Sequence, residues 1–476
     1  MQASLPQEIY DRITDNAERS SVKNLSLASK EHFLYQAQSH LFRELYIELN
    51  VSEDMSASKI LRGNPSLFKH VRFLALQADW DRRPRDHGNG GDILGIIADH
   101  LDGLQVLWIE APEFRCDWEK IKASYQAAIC KLLTRAPIRR IVFTGVSDIP
   151  PQLFRPAVNL ERLELTGSTS IASLSNQTLL LSVDVDHDEE RPLFPRGLRH
   201  LRHDGGGIKG VVPLLTYGTA HAALGSPYRN LRILQLDIAT ELMHTNAWSL
   251  IAAVAAETNC LEILTIRYRS TFSRLRTGPP RKSMDQLMID GQAAIPAFPS
   301  LRYLSLHFEL ITYYQEMFTP PSSALHHIPR VPCFMLKHHP QPSLEVLKLT
   351  CCAGPPTTSS QELARTIALP VPLFDREDGG WDQLDSVLSN HALFPKLQAM
   401  RVLFSVRGIG LDSRNVPAED HPIFDKARAV NAEVLAALPM SRSRYPLFDT
   451  GCEDTLAQFQ ALDDVFLAGE DLIANH

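Results

Sequence analysis

Carboxylate and imidazole groups that lie close together in sequence are the usual components of metal and catalytic sites, and this chain has two such clusters. The first is a run of acidic side chains, with Asp184, Asp186, Asp188, Glu189 and Glu190 close together. Carboxylate oxygens are the ligands that Ca²⁺ and Mg²⁺ prefer. A run of carboxylates is also typical of a solvated loop, so this run alone does not predict a metal site.

The second cluster brings imidazole and thiol groups into one short stretch. It contains His326, His327, Cys333, His338 and His339. Zinc sites usually pair their ligands at a tighter spacing, such as Cys-x-x-Cys. The prolines around this stretch are typical of a surface loop. We therefore expect these side chains to belong to an inserted loop and not to a zinc site.

The remaining motifs do not support an enzyme either. The stretch Gly205-Gly206-Gly207-Ile208-Lys209-Gly210 resembles a phosphate-binding loop but lacks its Gly-Lys-Ser/Thr ending. No nucleophile elbow, HExxH helix or EF-hand loop occurs in the sequence. We predict that the chain has no catalytic residue, binds no cofactor or metal and is not an enzyme. A metal-dependent enzyme built in the inserted loops is the alternative that the two clusters leave open.

Composition and charge indicate a folded protein that does not act on nucleic acid or in a membrane. The 476 residues are 44% hydrophobic and 22% charged, with a net charge of −7. The basic clusters Arg82-Arg83-Pro84-Arg85 and Arg139-Arg140 are too short to form the basic face that nucleic acid requires. No apolar run approaches the roughly 20 residues of a membrane-spanning helix. The N-terminus lacks a secretory pattern and the seven cysteines are scattered, so we predict reduced thiols and a cytoplasmic or nuclear location.

One apolar pattern recurs along the chain. Each copy spans six residues, of which the first, fourth and sixth are apolar, as at Leu160, Leu163 and Leu165. The last two apolar positions lie on one face of a strand, and such a strand needs stacked neighbours to bury that face. The copies begin at Phe42, Val71, Leu104, Ile138, Leu160, Leu180, Leu198, Leu231, Leu261, Leu301, Leu344 and Leu397, and in the copy at Leu198 the last position is His203.

Helices are predicted between these strands from apolar stripes at spacings of three and four. The stripes are Ile93/Ile96/Ile97/Leu101, Trp118/Ile121/Tyr125/Ile129/Leu132, Trp248/Ile251/Ala252/Ala255 and Trp381/Leu384/Leu388. The alternation of strand and helix indicates an α/β fold with parallel strands and outer helices. We predict an irregular leucine-rich-repeat-type solenoid with inserted loops over residues 51–410, and an ordinary open α/β sheet is the alternative. The pattern stops near residue 405, and residues 411–476 are predicted to form a C-terminal helical cap.

Residues 1–50 have a different pattern, which predicts a small module of three helices. Proline at position 6 suits the first turn of a helix, where no hydrogen-bond donor is lost. Leu25 and Leu27 fall in a second short helix, and a third runs from about Ser29. The apolar positions of the first and third helices are Leu5, Ile9, Ile13, Phe33, Ala37 and Leu41.

The sequence Leu5-Pro6-x-Glu8-Ile9-x-x-x-Ile13, followed by Leu25-Ser26-Leu27-Ala28-Ser29-Lys30, resembles an F-box. Ala37-Gln38-x-x-Leu41-Phe42-Arg43 resembles the end of that module in fungal F-box proteins, where a leucine-rich-repeat-like array begins. The resemblance implies docking on a Skp-type linker subunit of an SCF-type cullin–RING ubiquitin ligase, with the repeat domain binding a protein substrate. The linker-binding residues that it implies are Leu5, Pro6, Ile9, Ile13, Leu25 and Leu27.

A second function is compatible with the same residues. If the N-terminal helices only cap the array, the protein is a leucine-rich-repeat interaction scaffold outside any ligase. An exposed apolar face on these helices favours the ligase receptor, because such a face needs a partner to cover it. Tight packing of the helices on Val71, Leu74 and their neighbours favours the scaffold.

Overall fold

The computed structural model divides the chain into two compact units, Met1–Pro227 and Tyr228–His476. The residues that the structure describes are 12–13, 17–18, 21–22, 24, 30–48, 63–77, 90–111, 116–167, 169–172, 197–204, 228–238, 241–268, 293–311, 330–354, 380–406 and 432–449.

The first unit alternates strands with helical segments. Its α-helices are α1 (Lys30–Leu41), α2 (Gly90–His100) and α3 (Ala123–Arg135). Short 3-10 helices lie at Pro65–His70, Trp118–Lys120 and Pro151–Phe154. Its strands are β1 (Glu44–Glu48), β2 (Phe73–Gln77), β3 (Val106–Glu110), β4 (Cys116–Asp117), β5 (Arg140–Thr144), β6 (Val146–Ser147), β7 (Arg162–Thr166) and β8 (His200–Asp204).

The second unit repeats this organisation with longer strands. Its helices include α4 (Glu241–Glu257), α5 (Gly380–Leu388) and α6 (Pro439–Arg444). The described residues 330–336, which the sequence assigned to an inserted loop, and 432–437 are also helical. Its strands are β9 (Ile233–Ile238), β10 (Ile263–Tyr268), β11 (Tyr303–Ile311), β12 (Val346–Gly354), β13 (Ala399–Val406) and β14 (Leu447–Asp449).

The main strands of each unit are parallel and follow chain order. In the first unit β1, β2, β3, β5, β7 and β8 pair one after another, and in the second unit β9 to β14 do the same. Within each unit, the second apolar position of a described copy is the register partner of the second apolar position in the next described copy, as in Ile141↔Leu163↔Leu201. The predicted α/β fold with stacked parallel strands is therefore confirmed. The copy at Leu180 lies outside the described residues.

The apolar positions of the copies form the core. Leu163, Leu165, Leu264 and Leu304 have no exposed surface. Leu160, the first position of its copy, lies on the turn before β7 and is also fully buried. His203 occupies the last position of its copy, opposite Leu165, and is 5% exposed, so β8 forms in spite of the histidine.

Two of the predicted helical stripes are wrong in detail. In α2 the buried positions include Leu94 and Ile97, whereas the predicted Ile96 is 38% exposed. In α4 Val254 is fully buried, whereas the predicted Ala252 is exposed. A helix turns its apolar face toward the strands that it packs on, and the spacing of a short apolar run fits more than one such face.

The short 3-10 helices and the strands β4 and β6 were not predicted. Trp118 lies in a separate 3-10 turn before α3, although it was assigned to the helix itself. The short strands β4 and β6 form a second parallel pair, and Gly145 makes the turn between β5 and β6 with φ of +74°. A Cβ at Gly145 would lie 2.6 Å from the carbonyl oxygen of Ala111, so only glycine fits there.

The C-terminal range 411–476 contributes a strand as well as helix. β14 pairs with β13, and α6 ends directly before it. The carboxylate of Asp385 accepts hydrogen bonds from the backbone N–H groups of Met440 and Ser441, at 2.9 and 2.8 Å, and so caps α6. The helix predicted from Glu453 to Ile473 lies outside the described residues.

None of the helices in the described ranges combines the length and apolar character needed to cross a bilayer.

The Leu163→Ala variant tests whether the apolar ladder holds the first unit together. Leu163 is fully buried between Ile141 and Leu201, so the truncation leaves a cavity and should lower the free energy of unfolding by about 2–5 kcal/mol. Urea unfolding followed by circular dichroism measures the loss. Val158→Ala is the control because Val158 is 69% exposed, and a comparable loss in both variants would contradict the ladder's role.

Candidate functional site

The strands of the first unit present a second row of side chains on the face opposite the apolar ladder. Because side chains alternate along a strand, the residue between the two apolar positions of each copy points to this opposite face. In register these residues are Tyr46, Ala75, Trp108, Val142, Glu164 and Arg202, which we call the central row.

Three arginines gather around one carboxylate at the β5–β8 end of the central row. The Nε groups of Arg140 and Arg162 both donate to Oε1 of Glu164, each at 2.7 Å. A guanidinium nitrogen of Arg202 lies 3.7 Å from the other carboxylate oxygen. Glu164 is 3% exposed, so this carboxylate is desolvated and held by its arginines. We call these four residues the arginine cluster.

The register explains why the arginine cluster forms. Arg140 and Arg162 are direct partners on neighbouring strands, and like charges directly opposite each other destabilise a sheet. Glu164 lies two residues after Arg162 on the same face, where its carboxylate reaches both guanidinium groups. Arg202 is the register partner of Glu164 on β8. The carboxylate thus reduces a repulsion that the strand pairing itself creates.

The arginine cluster keeps unused hydrogen-bond donors. Within the described part of the chain, Arg140 forms its hydrogen bond to Glu164 through Nε alone, which leaves its terminal nitrogens available. The Arg202 side chain is 38% exposed and makes an ionic contact with Glu164 longer than a hydrogen bond. Within these four residues, three guanidinium groups face one carboxylate. Such a surface attracts an anionic group.

An aromatic group lies at the β1–β3 end of the same face. The rings of Tyr46 and Phe73 are 5.4 Å apart, and those of Phe73 and Trp108 are 6.3 Å apart in an edge-to-face arrangement. Tyr46 is 58% exposed, and its hydroxyl donates to Glu44 at 3.3 Å. Phe73 and Trp108 are half-buried. Partly exposed aromatic side chains are typical of surfaces that bind other proteins. We call Tyr46, Phe73 and Trp108 the aromatic group.

The equivalent face of the second unit differs. A row of apolar side chains there is buried, with Ile263, Tyr303, Val346 and Ala399 exposed by 5% or less. This part of the second unit is buried on both sides of its strands. At the positions that correspond to the central row, the second unit presents polar, partly exposed side chains, which are Gln235, Thr265, Ser305 and Lys348.

A buried polar network lies inside the second unit. Trp248 donates to the hydroxyl of Tyr268 at 3.0 Å, and that hydroxyl lies 3.3 Å from Nδ1 of His244. Burial raises the pKa of the Tyr268 hydroxyl. His244 and Tyr268 are each 1% exposed, so a substrate cannot reach them. The network satisfies polar atoms of the core and is structural.

The sequence clusters considered for metal binding fall largely outside the described residues. This holds for His326, His327 and the acidic run from Asp184 to Glu190. The stretch Gly205–Gly210, which resembles a phosphate-binding loop, also lies outside the described residues. Within the described ranges, no three His, Cys, Asp or Glu side chains lie close enough together to hold a metal ion. Burial raises the pKa of the Cys333 thiol, and burial together with Lys337 and His339 lowers the pKa of His338.

Most residues of the implied linker-binding surface also lie outside the described part of the chain. These are Leu5, Pro6, Ile9, Leu25 and Leu27. Ile13 is described and is 40% exposed. The arginine cluster and the aromatic group were not predicted, because the sequence pattern identified only the apolar positions. The charged and aromatic residues between the apolar positions are the sequence feature from which the arginine cluster and the aromatic group could have been predicted.

Comparisons with known proteins find similarity to solved structures but to no family model. No family model matches the chain, and no curated protein matches it. One chain of the crystal structure of the Rad7 and Elc1 complex in yeast is similar over 87% of this chain and 90% of that chain, at 14% identity and a TM-score of 0.31. The similarity is too low to carry an argument, so the fold is argued from register and burial alone.

The Glu164→Gln variant tests whether the carboxylate holds the arginine cluster. Removing the charge leaves Arg140 and Arg162 adjacent without a counter-charge, and we expect a loss of about 3 kcal/mol in the free energy of unfolding. Glu262→Gln is the matched control, because the Glu262 pair with Arg232 is more exposed and should contribute less than about 1 kcal/mol. Equal losses in urea unfolding would show that the burial of Glu164 adds nothing.

Proposed function

We propose that this protein is the substrate-recognition subunit of an SCF-type cullin–RING ubiquitin ligase. Its N-terminal helices would dock on the Skp-type linker subunit, and the strand face of the first unit would bind a protein substrate. The protein would then act by proximity, raising the effective concentration of substrate near a ubiquitin-charged enzyme. None of its own residues would be catalytic.

The observation that carries this proposal is the exposed Ile13 ahead of a repeat array. Ile13 is helical and 40% exposed, and it belongs to the F-box-like motif that begins at Leu5. Helix α1 ends at Leu41, and β1 begins at Glu44 and pairs with β2. Helix α1 therefore ends shortly before the first strand of the array. An exposed apolar side chain at a motif position is suited to a docking surface.

A second candidate, the interaction scaffold, is favoured by the packing of α1. The ring of Tyr35 contacts that of His70 at 4.9 Å, and the ammonium of Lys69 lies 5.2 Å from the Tyr35 ring. Ala37 on α1 is fully buried. These contacts tie α1 to the 3-10 helix before β2, as a cap would require. One helix can both pack on the array and support a docking surface, so the two functions are separated by experiment.

Co-purification with a recombinant Skp-type linker subunit distinguishes the ligase receptor from the interaction scaffold. We expect the wild-type chain to retain the linker, and the Leu5→Ala/Pro6→Ala/Ile9→Ala variant to retain about tenfold less, because the apolar docking contacts are lost. Val158→Ala/Met440→Ala is the control, since both residues are exposed apolar side chains outside the motif. Circular dichroism confirms folding of each variant.

Two results would overturn the ligase proposal. If the wild-type chain retains no linker, the N-terminal helices are a cap and the scaffold function stands. If the triple variant retains as much linker as wild type, binding does not use the F-box-like residues. Addition of the cullin to a linker complex that does form tests assembly of the larger ligase.

A further inference from the structure

We propose that the central row of the first unit binds an extended segment of a partner protein that carries a large apolar or aromatic residue and, about four residues away, an Asp or Glu. The aromatic group receives the first side chain, and Arg202 receives the carboxylate. This inference rests on the protein-binding role proposed above and names the chemistry of the bound segment.

The spacing of strands along the central row determines how many residues separate the apolar side chain and the carboxylate of the bound segment. Trp108 and Arg202 lie in the same row with Val142 and Glu164 between them, which is three strand steps. Neighbouring strands are about 4.8 Å apart, so the two side chains begin roughly 14 Å apart. An extended segment advances about 3.3 Å per residue and covers that distance in about four residues. Side chains four residues apart point to the same side of an extended segment, so both can face the strands.

Charge complementarity identifies the acidic residue. Three guanidinium groups of the arginine cluster share the carboxylate of Glu164, and the Arg202 side chain is 38% exposed. Among the described residues, Arg202 contacts only Glu164, at 3.7 Å, so its guanidinium can still form the paired hydrogen bonds that a carboxylate accepts. One open guanidinium matches one carboxylate. The buried Glu164 shows that neighbouring arginines already accommodate a carboxylate.

The aromatic group supplies the apolar part of the site. The indole Nε1 of Trp108 is buried and has no hydrogen-bond partner in the described part of the chain. Its ring is half-buried against Phe73, and Tyr46 extends the exposed aromatic surface to β1. Tryptophan, tyrosine and arginine are the side chains that most often dominate the binding energy of protein interfaces.

Selection from a displayed library of random linear peptides against the intact chain tests this proposal. We expect enriched peptides to share a large apolar or aromatic residue about four positions from an Asp or Glu. An individual enriched peptide should bind Arg202→Gln about tenfold more weakly than wild type, and should also bind Trp108→Ala more weakly. Arg202→Glu should shift the enriched residue from acidic to basic.

Arg232→Gln is the matched control. Arg232 is also an exposed arginine, but both of its donating nitrogens are already bonded to Glu262 in the second unit, so its loss should leave peptide binding unchanged. Circular dichroism and urea unfolding establish that each variant is folded.

Three results would overturn the proposal. They are the absence of enrichment, enrichment without the stated spacing, and binding that Arg202→Gln leaves unchanged. A phosphoserine peptide that binds about tenfold more tightly than its Asp counterpart would also overturn the proposal, because Arg202 would then recognise a phosphate and not a carboxylate. The selection does not involve the linker subunit, so failure here and failure of linker docking are separate results.

Discussion

The in-register pairing of parallel strands is the constraint on which the rest of the structure depends. Most strands of the two ladders begin with two consecutive amides that donate to one carbonyl of the preceding copy, as the Glu161 and Arg162 amides do to the Arg139 carbonyl. That arrangement places Leu163 on Ile141 and continues the apolar ladder. A shift of one residue would turn every leucine of a strand to the opposite face. Burial of the ladder and register of the backbone therefore require each other.

The same register creates the surface that faces away from the ladder. It places Arg140 beside Arg162, which is unfavourable unless a counter-charge is close. Glu164 supplies that charge from within β7, and its burial strengthens the interaction because water does not screen it. Arg202 is drawn to the same carboxylate but lies outside hydrogen-bond distance. Strand pairing thus concentrates positive charge at one end of the central row and leaves one guanidinium open.

The sequence was sufficient to predict the strands of the ladder, which depend on local periodicity. It was not sufficient to predict side-chain clusters that depend on the pairing of distant strands. The apolar spacing identified the strands of the ladder, because burial of every second side chain repeats within each copy. The arginine cluster could not be predicted in that way, since Arg140 and Arg202 meet Glu164 only after the register is known. β14 was missed because it is short, although Pro446 precedes it as proline precedes other copies. The predicted buried face of α2 was wrong for a related reason. Its apolar spacing fits several faces, and packing against the rest of the unit determines which one is buried.

The arginines at or near the strands differ in their roles. Some form stabilising ion pairs, and others belong to a surface that can bind a partner. Arg232 and Arg302 lie just before their strands, and each uses two nitrogens on one carboxylate, from Glu262 and Glu345 respectively. Glu345, helped by Glu262, raises the pKa of Arg302, as expected of a satisfied guanidinium. Arg202 lies within a strand and has no such bidentate partner among the described residues. Since the apolar ladder and Glu164 hold the strands together, the exposed positions of the central row, such as Tyr46 and Arg202, can change the binding specificity without loss of the fold.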